Sequence, residues 1–246
     1  MLSARITGPD KEQRMAPLTV PAGTTTSAGV TGSTDSTGFT GFTARAGAFA
    51  FGAAGVLFLL YQATRPYSDE TTMAGAVALS SGAWIAAHLA ACAAYVLFAA
   101  GLMALRRMTP GRAGPAAVVA GWAGVGLTLP YYGAETFGLH AIAQRAVRDG
   151  DASLIELFDQ VRYVPAAIAT FAAGLLLLGA AAVLAAVALH RSGMPQRWSG
   201  LPLAIGFALL LPQFFGTPAI RIAHGALVAL GGLWIAITLW RAARTR

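Results

Sequence analysis

"VPAAIATFAAGLLLLGAAAVLAAVAL", residues 164–189, decides the class of this protein. It carries no charged side chain, and it is longer than the roughly 20 apolar residues that cross the hydrocarbon of a bilayer. Within lipid, a lone segment satisfies its own backbone hydrogen bonds only as a helix. The stretch is therefore a predicted transmembrane helix, and the rest of the chain repeats it. Apolar runs bounded by charges, Pro or Gly recur at about 46–64, 83–105, 115–135, 200–216 and 218–240, which makes six predicted spans. Between the last two, "LPQFFGTPAIR" (211–221) packs two prolines and a glycine into a tight reversal. A re-entrant 200–216 is the alternative, and it would leave five spans. Composition agrees with lipid as the solvent: 56% of residues are hydrophobic and only 11% charged, against roughly 25% charged in soluble domains. The predicted fold class is all-α, a polytopic membrane bundle of about six transmembrane helices.

The chain before the first span is of another kind. Residues 1–43 are rich in Ser, Thr and Gly without apolar periodicity, a composition that buries too little surface to offset chain entropy. They are predicted to form a disordered cytoplasmic tail, with residues 44–246 as the transmembrane domain. No apolar run follows the first charges, so a signal peptide is not expected. Between the third and fourth spans, "GDASLIELFDQVRY" (150–163) opens on an Asp cap and places Leu154, Ile155, Leu157, Phe158 and Val161 on one stripe. That segment is expected to lie along the membrane surface.

The net charge of +7 comes from basic residues scattered between apolar runs, with no basic face or nucleic-acid motif, so no nucleic acid is expected as a partner. These residues instead predict orientation, because short cytoplasmic loops retain Lys and Arg. Arg106, Arg107 and Arg112 follow span two, His190, Arg191 and Arg197 follow span four, and Arg241, Arg244 and Arg246 end the chain, all without an acid. The other loops are balanced: Arg65 stands against Asp69 and Glu70, and Arg145, Arg148 and Arg162 against Asp149, Asp151, Glu156 and Asp159. Both termini are thus predicted in the cytoplasm, with the acidic loops outside. Arg greatly outnumbers Lys, of which Lys11 is the only one, and Ala and Gly abound. That is the bias of GC-rich coding, so a bacterial inner or plasma membrane is the expected location. Cys92 is the single cysteine, which excludes an intrachain disulfide.

One stretch of the third span is unlike the others. "LPYYGAETFGLHAIAQR" (129–145) brings two tyrosines, Glu135, His140 and Arg145 into an otherwise apolar run. Helical rise of about 1.5 Å per residue puts His88 roughly 27 Å, and His224 roughly 25 Å, from the arginines that close their helices. Tyr131 and Glu135, spaced i and i+4, share a face and reach the same zone from the opposite direction. Arg221, one turn before His224, is the natural partner for Glu135 at that depth. His88, Tyr131, Glu135, Arg221 and His224 are accordingly the predicted lining of an outward-facing pocket, since ionisable groups within a membrane are functional candidates. The bland alternative is a Glu135–Arg221 ion pair, histidines in a polar packing layer and an aromatic belt.

Three chemistries fit the pocket. Two histidines at matched depth on separate helices suit axial ligation of haem b. His88, Glu135 and His224 are the two-His-one-carboxylate set of a zinc hydrolase. A proton-coupled or small-solute transporter fits the proline breaks at Pro130 and Pro212 to Pro218. The glycines of "AGWAGVG" (120–126) and "GALVALGG" (225–232) are expected at close helix contacts. Trp84, Trp198 and Trp240 are expected to be interfacial anchors, with Trp122 and Trp234 packed inside.

Overall fold

The computed structural model describes residues 36–244, with side chains from residue 43. The predicted tail lies outside the described residues up to residue 35, and from Ser36 the chain is already helical. Five helices are long and apolar enough to cross a membrane: Thr43–Thr64, Gly82–Met108, Ala113–Asp149, Pro165–Arg191 and Pro218–Ala242. No strand occurs among the described residues.

Local chemistry sets the helix ends. Helix α1 covers Ser36–Thr64, and a short α2 covers Met73–Leu79, where the Thr72 hydroxyl accepts the Gly75 N–H. In α3 (Gly82–Met108) the Ser81 hydroxyl accepts the Trp84 N–H, and Arg106 and Arg107 stand in the last turn, where the helix dipole favours cations. Helix α4 (Ala113–Gly133) continues through a π-helical turn, Ala134–Leu139, into α5 (His140–Asp149). Gly150, with φ 66°, supplies the left-handed residue that ends α5. A 3-10 turn, Ala152–Ile155, leads into α6 (Glu156–Arg162). Helices α7 (Pro165–Arg191) and α9 (Pro218–Ala242) both open on a proline, which forfeits only an N–H that has no helical partner there. Between them lies α8 (Leu201–Ala208), followed by a 3-10 turn at Pro212–Phe215.

The five long helices and the short α8 form a closed ring in the order α1, α3, α4, α7, α8, α9 and back to α1. Its axis is filled by rings: Phe98 meets Phe207 at 4.3 Å between centroids, and Phe58 meets Tyr95 at 5.8 Å. In lipid, helix association depends on close packing, so small residues at contacts let backbones approach. A Cβ on Gly124 of α4 would sit 2.9 Å from the Gly174 carbonyl of α7, and one on Gly232 of α9 would sit 2.5 Å from the Phe51 carbonyl of α1. Both glycine-rich stretches thus occupy helix contacts.

The segment 200–216 is not one of the five long helices, because Pro212 and the turn at Leu209–Leu211 interrupt it. It nevertheless runs antiparallel to α9 for most of its length: Leu203 packs on Gly231, Val228 on Gly206, and Phe214 on Arg221.

The third span does not stop near residue 135. It persists as one rod to Asp149, and its α5 portion anchors a cap over one end of the ring. Ala76 and Leu79 of α2, Trp84 of α3, Leu139, Ala143 and Ala146, and Phe158 of α6 form a second, separate core. Leu154, Ile155 and Val161 pack on that core, so most of the predicted apolar stripe is turned toward α5 and α2. The ring therefore has a cap end, where α2, α5 and α6 sit, and a basic end, marked by Arg106, Arg107, Arg191 and Arg241.

Candidate functional site

Every carboxylate among the described residues belongs to the cap-end segments or their junction with the ring: Asp69, Glu70, Glu135, Asp149, Asp151, Glu156 and Asp159. Two of them enter a cavity of about 810 Å³ beneath the cap, walled by α1, α3, α4, α7, α9 and the 3-10 turn before α9. Arg162, the last residue of α6, reaches in from the cap. Its Nε donates to Glu135 Oε1 at 2.7 Å and its Nη2 to Glu135 Oε2 at 2.9 Å, a two-pronged pair. Its Nη1 stands 2.5 Å from Glu70 Oε2, while Glu70 Oε1 accepts from Arg65 Nη2 at 2.8 Å. Glu70 thus bridges two arginines. Burial works against the Arg162 charge, but Glu135 and Glu70 more than offset it and hold the guanidinium above its ordinary value.

The third cation of the cavity is arranged differently. Arg221 donates its Nε to the Gly216 carbonyl at 3.2 Å and its Nη2 to the Phe214 carbonyl, both in the turn that precedes α9. Its guanidinium stands 5.8 Å from the ring centroids of both Tyr67 and Phe214. Among the described residues no carboxylate lies within ion-pair distance of it. The predicted Glu135–Arg221 pair is therefore replaced by Glu135–Arg162. Position decides this: α6, pinned through buried Phe158, ends with Arg162 over Glu135, whereas Arg221 curls back to cap its own turn.

Aromatic rings supply most of the remaining wall. Tyr131 stacks on Phe171 at 4.1 Å with 15° between planes, and Tyr61 and Tyr132 stand edge-on at 6.0 Å. The Tyr67 hydroxyl reaches the Gln62 main-chain carbonyl at 2.9 Å, and below it buried Gln62 donates to Gln213 Oε1 at 3.1 Å. The π-helical turn matters here. Within it the Glu135 carbonyl accepts the Trp84 indole N–H at 2.8 Å. Trp84, expected as an interfacial anchor, is fully buried beneath the cap. Trp122 and Trp234, expected inside, are 41% and 38% exposed on the outside of the ring.

Of the five predicted site residues, His88, Tyr131, Glu135 and Arg221 line the cavity, and His224 does not. The two histidines are reached from successive turns of α1, in keeping with matched depth, but protein fills the space between them. His88 meets Tyr61 at 5.5 Å, Tyr61 meets Phe58 at 5.9 Å, and Phe58 meets His224 at 5.6 Å. His88 Nδ1 donates to the Trp84 carbonyl at 2.7 Å, and His224 Nε2 to the Gly206 carbonyl at 2.7 Å. The structure thus does not bring His88, Glu135 and His224 together as metal ligands, nor does it set the histidines across a gap for haem b. No group of three or more His, Cys, Asp or Glu among the described residues is arranged to hold a metal ion. His140, five residues beyond Glu135, bonds through Nδ1 to the Leu79 carbonyl at 2.8 Å and belongs to the cap.

Arg65, Glu70 and Arg162 enter the site from segments that the sequence marks only as charge-balanced loops. That balance was the available signal: Glu70 and Glu135, the two acids that pair with Arg65 and Arg162, stand in or beside those loops. Compared with known proteins, the chain matches no family model, no curated protein and no solved structure.

Proposed function

We propose that this chain is an integral membrane protein that binds a small organic anion with an aromatic or apolar body in the cap-end cavity, from the outside of a bacterial cell membrane. The observation that carries this reading is Arg221. Three arginines and two glutamates line the cavity. The two glutamates are engaged by Arg65 and Arg162, and Arg221 is left with main-chain partners and open positive charge. Stacked Tyr and Phe rings around it offer apolar faces, and a volume of about 810 Å³ suits a ligand of metabolite size. The acid-free loops at the basic end support a cytoplasmic position for that end and for both termini. The antiparallel course of 200–216 beside α9 supports a sixth, interrupted crossing.

Transport of the same anion is the second reading, favoured by one observation. The interruption at 209–215 borders the cavity, and broken helices near a binding site are a device of transporters. Under that reading Phe58, Phe98 and Phe207 form the inner plug that must move.

The test uses protein in nanodiscs, titrated calorimetrically with naphthalene-2-carboxylate and its neutral amide, with empty nanodiscs as the blank. Saturable binding of the carboxylate alone, weakened roughly tenfold or more in Arg221→Gln, is expected, since a charge-assisted contact is lost. Equal affinity for acid and amide, or an unchanged Arg221→Gln, would overturn the proposal. Uptake of the acid into proteoliposomes then separates transport from binding.

A further inference from the structure

The basic end carries a second concavity, remote from the cap. Between α7 and α8 runs a trough of about 470 Å³. It exists because small residues face each other: the Cβ of Ala186 would lie 2.9 Å from one added at Gly200, so the two helices meet closely there. Ala204 and Ala208 then leave the groove unfilled. Its walls are apolar and turned outward, with Val183, Leu201 and Ile205 each between 44% and 47% exposed. In a membrane such a face meets acyl chains.

The mouth of the trough is of opposite character. His190, Arg191, Arg197 and Trp198 line it at the basic end. Both arginines are exposed, and among the described residues neither has a carboxylate within ion-pair distance. None can be supplied from this part of the chain, because no Asp or Glu occurs after Asp159. His190 packs its ring on Trp198 at 4.5 Å between centroids, and its buried Nδ1 has no hydrogen-bond partner among the described residues. Arg197 lies 6.0 Å from the centroid of the same indole. A cationic mouth, an interfacial tryptophan and an apolar trough along the helices match, in that order, the headgroup, glycerol level and acyl chain of a phospholipid.

We propose that this trough binds an acidic phospholipid of the leaflet at the basic end, with its phosphate on Arg191 and Arg197 beside His190 and one acyl chain along Val183, Val187 and Ile205. The inference is independent of the ligand of the cap-end cavity, and of which face of the membrane is cytoplasmic. Anionic solute without a chain would engage the mouth alone, so the apolar trough is what selects lipid.

Native mass spectrometry of the detergent-purified protein tests it with three probes: dioleoyl phosphatidylglycerol, dioleoyl phosphatidylcholine and inorganic phosphate. One phosphatidylglycerol is expected to stay bound at the lowest lipid concentrations, with phosphatidylcholine retained roughly tenfold less or weaker. Arg191→Gln/Arg197→Gln should abolish the preference. Ala208→Phe, at an exposed position that keeps both charges but fills the trough, should weaken phosphatidylglycerol as well. Arg106→Gln/Arg107→Gln removes as much charge from the same end and should change nothing. Equal retention of the two lipids, an effect of Arg106→Gln/Arg107→Gln as large as that of the trough pair, or phosphatidylglycerol binding undiminished by Ala208→Phe would each overturn the assignment. Retention of inorganic phosphate at the same concentration as the lipid would overturn it too.

Discussion

The two ends of the ring handle positive charge in opposite ways. At the basic end Arg106, Arg107, Arg191, Arg197 and Arg241 are exposed and, among the described residues, without an ion-pair partner. At the cap end Arg65 and Arg162 are nearly buried, with side chains 11% and 12% exposed, and each is matched by a glutamate. Solvent reaches the first set, so it needs no partner and contributes little to folding. The second set has lost that solvent, and a charge withdrawn from water persists only when it is paired and hydrogen-bonded. An arginine of this chain thus has two structural meanings, and burial distinguishes them: Arg145 and Arg148, in the same acidic loop as Arg162, pair with Asp149 but stay exposed. Arg221 fits neither set, which is why it stands out as the cation available to a ligand.

The sharpest way to break this comparison is to remove a buried partner. Arg162→Gln leaves Glu135 and one oxygen of Glu70 without their cation, and losses of this kind run to about 3–5 kcal/mol. A fall in unfolding midpoint of several degrees is expected in detergent. Glu135→Gln/Arg162→Gln should recover part of it, giving a coupling of about 1 kcal/mol or more in a double-mutant cycle. The same cycle on Glu135 and Arg221 should give no coupling, since the two are not paired. By contrast Arg107→Gln should stay within about 0.5 kcal/mol of wild type. Coupling of Glu135 to Arg221 instead of Arg162 would reverse the assignment of partners.

That choice of partner also marks where sequence becomes insufficient. The predicted runs 46–64, 83–105 and 218–240 fall inside α1, α3 and α9, and 164–189 begins one residue before α7, because apolar length alone dictates a helix in lipid. Tyr131 and Glu135 lie on one cavity wall, as i and i+4 positions must. The end of the third span was not legible. Gln144, Arg145 and Arg148 change the solvent the helix suits without ending it, so the rod runs on to Asp149. Arg162 was hidden for another reason: it follows Glu135 by 27 positions, and only the docking of Phe158 into the cap core aims it there. His224 shares the depth of His88, but the phase of α9 turns it to the Gly206 carbonyl, and helical rise carries no information on phase between helices.

A smaller effect tests whether the cap itself depends on the buried pairs. Trp84 is fully buried and gives its indole N–H to the Glu135 carbonyl. Trp84→Phe keeps an aromatic ring beneath the cap but leaves that carbonyl unsatisfied, a loss of about 1–2 kcal/mol. Hydrogen exchange should rise first in α2 and α6, with the inner turns of α1, α3 and α9 unchanged. Uniform acceleration through the ring would mean that cap and ring unfold as one unit.

The smallest effect belongs to Asp69, a cap-end acid that is exposed. Its carboxylate accepts the Thr71 N–H at 3.0 Å and the Thr71 hydroxyl at 2.7 Å, which shapes the turn presenting Glu70 to its two arginines. Those hydrogen bonds from Thr71 hold the Asp69 carboxyl below its ordinary value. A carboxyl with a depressed folded value stabilises fully above its unfolded value, near 3.9, and loses that contribution as pH falls through the folded one. Asp69→Ala should therefore melt slightly below wild type at pH 7, and the difference should shrink as the pH is taken down through about 4. The cost of Arg162→Gln at neutral pH should exceed it several-fold, because only there is the charge withdrawn from water. Were Asp69→Ala as damaging as Arg162→Gln, or its deficit the same at every pH, the turn rather than the buried pairs would be what holds Glu70 in the site.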